Sequence, residues 1–226
     1  MNAHKILWWL DSIFRPKSKY GVARRLKNCY GTLLDVGCGN SSIEYIKYFS
    51  PNIQYIGIDV TNELNARNLV AGLHKDIVLL TTPSSFSNLI SEQIQVTHVI
   101  SNHNLEHCDD KESVIDAILS LPKVEYICFA FPSPYSLISP NSKYGTLNFF
   151  DDPTHHRLPD VGHLIQCATS KGFKTLDLKI GYAPIIPYLI GKLWEPVRLI
   201  TGRSAPLYGS WCLYRFETIV EFVRHE

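Results

Sequence analysis

Short apolar runs alternate along this chain with longer stretches in which apolar residues return every third or fourth position. The runs lie at Leu33-Leu34-Asp35-Val36, at residues 53–60, 76–80, 96–101, 124–131 and 173–180. The stretches between them carry helical stripes: Ile43, Ile46 and Phe49; Phe86, Leu89 and Ile90; Val114, Ile115, Ile118 and Leu119. A further helix is expected over residues 160–171, ended by Gly172. Strands and helices taking turns at this length predict a parallel, doubly wound α/β sheet. Residues 212–223 have strand composition and are expected to close the sheet as an antiparallel partner of 173–180.

Three segments stand outside this alternation. Residues 1–30 read as two basic helices broken at Pro16 and separated from the first strand by Gly31. They are expected to cap the fold with a solvated basic side, with a lid or a membrane-surface segment as the alternatives. Residues 132–159 form a connection too long for a plain loop and too rich in aromatics and histidines for disorder. Residues 182–212 are an apolar, proline-bearing insertion suited to covering a pocket or meeting a partner. The chain is thus expected to be one domain: a cap (1–30), a core (30–180), a lid-like insertion (182–212) and a closing strand (213–223).

Composition narrows the class. The 226 residues suffice for one sizeable core, and 22 basic against 21 acidic side chains leave no broad footprint for nucleic acid. The 6 cysteines include no C-x-x-C pair, which suits reduced thiols and a cytoplasmic setting. The apolar run at residues 6–10 is too short for the core of a signal peptide, and no run approaches a membrane span.

The chemistry concentrates where the first strand meets its glycine turn, Asp35-Val36-Gly37-Cys38-Gly39-Asn40, with Ser41 and Ser42 able to cap the helix beyond. Gly37 and Gly39 allow a tight bend and close approach of a ligand. A carboxylate at Asp35 would repel a pyrophosphate but attract a cationic ligand such as S-adenosylmethionine. The third glycine of a dinucleotide fingerprint is Ser42 here, which also disfavours NAD. Asp59, at the end of the second strand, stands where an acid accepts hydrogen bonds from a ribose diol. Strands one and four flank the switch point at which such sheets bind ligands.

With Leu34-Asp35-Val36-Gly37-Cys38-Gly39, Tyr55-Ile56-Gly57-Ile58-Asp59 and Val99-Ile100-Ser101-Asn102-His103-Asn104-Leu105-Glu106-His107 in order, the chain resembles a class I S-adenosylmethionine-dependent methyltransferase. The Leu-Glu-His element is similar to that of the small-molecule branch. The loops resemble, more weakly, bacterial methyltransferases associated with surface polysaccharides. This resemblance implies a Rossmann-like sheet of seven strands with the last antiparallel. It implies S-adenosyl-L-methionine as cofactor, contacted by Asp35, Gly37, Cys38, Gly39, Asp59 and Asn102. Asp35 would help hold the ammonium and Asp59 the ribose. Asn40 and Ser41 depart from the family's motif at the far side of the turn.

Two readings from other classes compete. His103-Asn104-Leu105-Glu106-His107 matches H-x-x-E-H, so a zinc hydrolase using His103, Glu106 and His107 is the rival chemistry. A binding module that keeps the fold without catalysis is the other. On the methyltransferase reading no tightly bound metal is expected. An alcohol acceptor needs a base, with His103, His107 and His155 as the candidates and His156 beside them. The expected partner is a small-molecule acceptor, sugar-like or lipid-linked, and the expected reaction is O-methylation of a sugar or other hydroxylated metabolite. Peripheral membrane contact and oligomeric state stay open.

Overall fold

The computed structural model describes residues 3–39, 42–60 and 76–225, so Asn40 and Ser41 lie outside the described residues. Seven strands form one sheet: β1 (Thr32–Val36), β2 (Gln54–Val60), β3 (Ile77–Thr81), β4 (His98–Asn102), β5 (Tyr126–Pro132), β6 (Phe173–Lys179) and β7 (Glu217–Arg224). Their order is β3-β2-β1-β4-β5-β7-β6. Strands β1 to β5 are mutually parallel, and β7 runs antiparallel between β5 and β6. The doubly wound sheet with an antiparallel closing strand is therefore present as expected. The chain reverses its winding between β1 and β4, so a crevice opens beyond their carboxyl ends.

Helices α1 (Ala3–Phe14), α2 (Lys19–Arg25) and α3 (Ser42–Phe49) enclose one core layer, where Val22 and Ala23 meet Tyr45, Ile46 and Phe49. Helices α4 (Phe86–Ser91), α5 (Lys111–Leu119) and α6 (Val161–Ser170) contribute Phe86, Ile90, Ile118 and Leu164 to the other layer. The middle strands β1 and β4 are buried on both faces, which is why they read as unbroken apolar runs.

The structure corrects three details. The basic side of the N-terminal segment is not all solvated: Arg15 turns inward, buried between Asp11 and Glu217. The 182–212 insertion is built on a long helix, α7 (Ile185–Thr201), followed by α8 (Gly209–Leu213). Pro187 falls in the first turn of α7, where no intrahelical N–H is lost, while Pro196 interrupts its interior. Cys212 and Leu213 therefore belong to a helix, and the closing strand begins only at Glu217. Among the described residues no helix is long and apolar enough to cross a membrane.

Candidate active site

The turn after β1 is shaped by its two glycines. Gly37 and Gly39 have φ of +75° and +62°, a region costly for residues with a Cβ. Gly37 N and Cys38 N both donate to the carbonyl of Ile58. Gly39 N donates to the Asp59 carboxylate, so the acid at the end of β2 already grips the turn. A Cβ on Gly37 would stand 2.4 Å from Asn104 Oδ1, whereas one on Gly39 would meet nothing within 4 Å among the described residues. Gly37 is thus the seat of the loop after β4, and Gly39 faces open space.

That space is a cavity of about 810 Å³. Gly37, Gly39 and Asp59 form one wall, Pro83 and Phe86 the end beyond β3, and Asn104, His107 and Thr154 the opposite wall. Asn104 Nδ2 is buried there with no partner among the described residues, a donor left for a ligand. Sequence reasoning passed over Asn104; its place directly after β4 was the available signal.

The other cofactor candidates sit differently. Asp35 lies beneath the turn, 1% exposed, accepting a hydrogen bond from the Tyr55 hydroxyl at 3.0 Å. Burial pushes its pKa up to about 6, against the hydrogen bonds of Tyr55 and Ser42 and the attraction of Lys19. It can act on a cation in the crevice through its field. Cys38 is turned into the core, where Gly57 makes room for its sulfur, and burial pushes its thiol up to about 12. With its N–H held by Ile58 and its sulfur in the core, Cys38 could meet a cofactor only through its carbonyl. Asn102 borders a second cavity of about 180 Å³, shared with Lys19, Tyr20, Tyr208 and Trp211. Tyr208 and Trp211 are the part of the insertion that reaches a pocket wall; α7 itself lines neither cavity.

His103 takes the left-handed φ of +48° and is anchored by its N–H to the Ala130 carbonyl at 2.7 Å. Both ring nitrogens face carboxylates: Nδ1 lies 3.0 Å from Glu106 Oε1 and Nε2 3.1 Å from Glu217 Oε1. Burial works against its charge, but the hydrogen bonds and charges of Glu106 and Glu217 prevail and raise its pKa to about 9. Burial likewise opposes the charge on Glu217, and Arg15 with His103 overcomes it, holding that carboxyl below its ordinary value. A run of alternating charges, Asp11–Arg15–Glu217–His103–Glu106, thus crosses from the cap to the loop after β4. His103 is an imidazolium at neutral pH with no free lone pair, so it is neither the base nor the zinc ligand that its sequence position suggested. The H-x-x-E-H residues also lie on a loop and one 3₁₀ turn, so its two histidines do not share a helix face.

His107 and His155 do meet, with ring centroids 4.7 Å apart. His155 Nδ1 donates to the Phe149 carbonyl at 2.7 Å. His107 Nδ1 pairs with Thr154 Oγ1 at 2.8 Å, and that hydroxyl gives its own proton to Asp152 at 2.6 Å. The long 132–159 connection therefore brings His155, Thr154 and Asp152 onto the loop after β4. His156 also borders the main cavity, half exposed, its Nδ1 3.3 Å from Asp109.

No protein-family model matches the sequence, and no curated protein is similar to it. Solved structures are similar in shape. A SAM-dependent methyltransferase from Archaeoglobus fulgidus superposes with a TM-score of 0.54 at 19% identity, covering 99% of this chain and 100% of that one. An S-adenosylmethionine-dependent methyltransferase from Mesorhizobium loti gives 0.58 at 13% identity, over 92% and 98% of the two chains. Phosphoethanolamine N-methyltransferase 2 from Haemonchus contortus, solved with S-adenosyl-L-methionine, gives 0.60 at 10% identity, over 92% of this chain and 52% of that one. The chain has the fold of the S-adenosylmethionine-dependent methyltransferases.

Within this methyltransferase fold, two further residues escaped the sequence reading: Arg15 and Glu217 as a buried pair. Arg15 and Glu217 are 202 positions apart, and only the closing of β7 beside β5 brings them together.

Proposed function

We propose that the chain is an S-adenosyl-L-methionine-dependent methyltransferase that O-methylates a small hydroxylated acceptor, sugar-like in chemistry. One observation carries this: a single cavity holds the glycine turn and Asp59 on one wall and the open His107 ring on the other. Gly37, Gly39 and Asn104 would meet the methionine and sulfonium end, Asp59 the ribose, and Pro83 and Phe86 the adenine. Methyl transfer from a sulfonium asks mainly for alignment of the nucleophile, which can supply about 7–11 kcal/mol. The acceptor hydroxyl would lose its proton at the His107 end of the cavity, behind which His155 packs. Six free cysteines support a reducing, cytoplasmic setting. The exposed face of α7, with Ile185, Leu193, Leu199 and Ile200, favours a lipid-linked acceptor or contact with a membrane surface as the second reading.

The test is incubation with methyl-labelled S-adenosylmethionine and fractionated small-molecule acceptors, followed by identification of the labelled product. An O-methyl ether of a hydroxylated small molecule is expected. Label on nitrogen or sulfur, or transfer only to macromolecules, would overturn the assignment of the acceptor.

A further inference from the structure

Glu106 is fully buried, and only one of its carboxylate oxygens is used. Oε1 pairs with His103, while Oε2 is buried with no partner among the described residues. A buried carboxyl oxygen left bare in this way is costly unless something binds it. Its neighbours are the two histidines. One carboxylate oxygen of Glu106 and one nitrogen from each of His107 and His155 lie within 4.8 Å of one another.

The hydrogen bonds fix which atoms are free. The Phe149 carbonyl can only accept, so His155 Nδ1 carries the proton. Thr154 spends its proton on Asp152, so it accepts from His107 Nδ1. With Nδ1 carrying a proton on each ring, Nε2 is the nitrogen that can offer a lone pair. A histidine that donates Nδ1–H to a carbonyl, or through a hydroxyl to a carboxylate, is oriented as metal-ligating histidines are. Asp152 Oδ2, 3.9 Å from His155 Nε2, adds a second negative charge at the edge of the group.

We propose that Glu106 Oε2, His107 Nε2 and His155 Nε2 bind a divalent cation of borderline character, such as zinc, manganese or iron(II). Two imidazoles and one carboxylate suit such ions and leave coordination positions open. Bonds of about 2.0–2.2 Å would draw the three atoms closer than they now stand, a movement that side-chain torsions supply. This replaces the sequence expectation that no metal is bound. It also differs from the H-x-x-E-H arrangement, because His155 takes the place of His103.

The inference deepens the methyltransferase reading and, for its chemical role, rests on it. His107 lines the cavity that holds the glycine turn and Asp59, so the open positions face the proposed acceptor. A hydroxyl oxygen bound to the cation becomes acidic enough to lose its proton to solvent near neutral pH. The C–O bond then forms as the C–S bond of the sulfonium breaks, and the electron pair leaves on sulfur as a neutral thioether. The acceptor class this selects is an alcohol able to coordinate, such as a vicinal diol.

The test is titration of the full chain, stripped with a chelator and freed of it, with cobalt(II) as a visible probe. One equivalent should bind with a d–d absorption band, displaced by zinc. His155→Ala and His107→Gln should each weaken binding at least tenfold, with urea midpoints confirming that both fold. His163→Ala, beside Cys167 on the far surface of α6, should leave cobalt binding unchanged. Absence of stoichiometric binding, or binding unaffected by His155→Ala, overturns the site. Calorimetry with S-adenosylhomocysteine on the same sample separates the two claims. Heat without cobalt binding overturns the metal site alone. Cobalt binding without heat supports the metal site and overturns its role in methyl transfer.

Discussion

His103 Nε2 lies 3.1 Å from Glu217 Oε1, joining the loop after β4 to the first residue of the last strand across 114 positions. The same ring holds Glu106 through Nδ1, so one cation serves two buried carboxylates. Removing it leaves the buried Glu106 without its counter-charge and Glu217 with Arg15 alone. His103→Ala is expected to cost about 3–5 kcal/mol in urea unfolding. His103→Gln, which keeps a donor, should cost less. A change below about 1 kcal/mol for His103→Ala would mean that the pairing carries no structural weight.

The two glycines of the turn should separate fold from ligand binding. Gly39→Ala faces open space and carries only the left-handed backbone strain, about 1–2 kcal/mol. It should fold and yet bind S-adenosylhomocysteine poorly, because its methyl group enters the cavity. Gly37→Ala adds the collision with Asn104 and should lose roughly 1–3 kcal/mol more. Equal unfolding midpoints for the two variants would contradict this division.

Asp35 should give cofactor binding a pH dependence. Its folded pKa of about 6 lies above the ordinary 3.8. It is neutral below that point and charged above it, so affinity for a ligand bearing an ammonium should rise from pH 5 to pH 7. A gain of roughly fivefold to tenfold is expected for one partly screened charge pair. The sign for stability is the reverse. The contribution of Asp35 is fully present below pH 3.8 and is lost as pH rises through about 6. Asp35→Asn should flatten the binding profile, which calorimetry at several pH values would show.

The sheet was readable in the sequence because each strand is a local apolar run bounded by turn residues, and the glycine turn because its constraint is local too. The same holds for Asp59, whose distance from Gly37 reflects one helix and one strand. What could not be read depends on pairs far apart. Cys38 reads as part of the cofactor motif, yet the space beside Gly57 draws it into the core. His103 reads as a base or ligand until β7 delivers Glu217 to it. Glu106 reads as a partner of His103 and His107 in H-x-x-E-H until residues 149–156 fold over it and bring His155. The helical nature of 185–201 was hidden by Pro187 and Pro196, which usually mark breaks.

The most direct measurement is calorimetric titration of the purified chain with S-adenosylhomocysteine, run beside Asp59→Ala. One site is expected, with a dissociation constant in the range of roughly 1 μM to 1 mM typical of enzyme ligands. Asp59→Ala should weaken it at least tenfold while its urea midpoint stays close to that of the parent chain. No heat with S-adenosylhomocysteine or S-adenosylmethionine, together with saturable binding of NADH, would contradict the assignment.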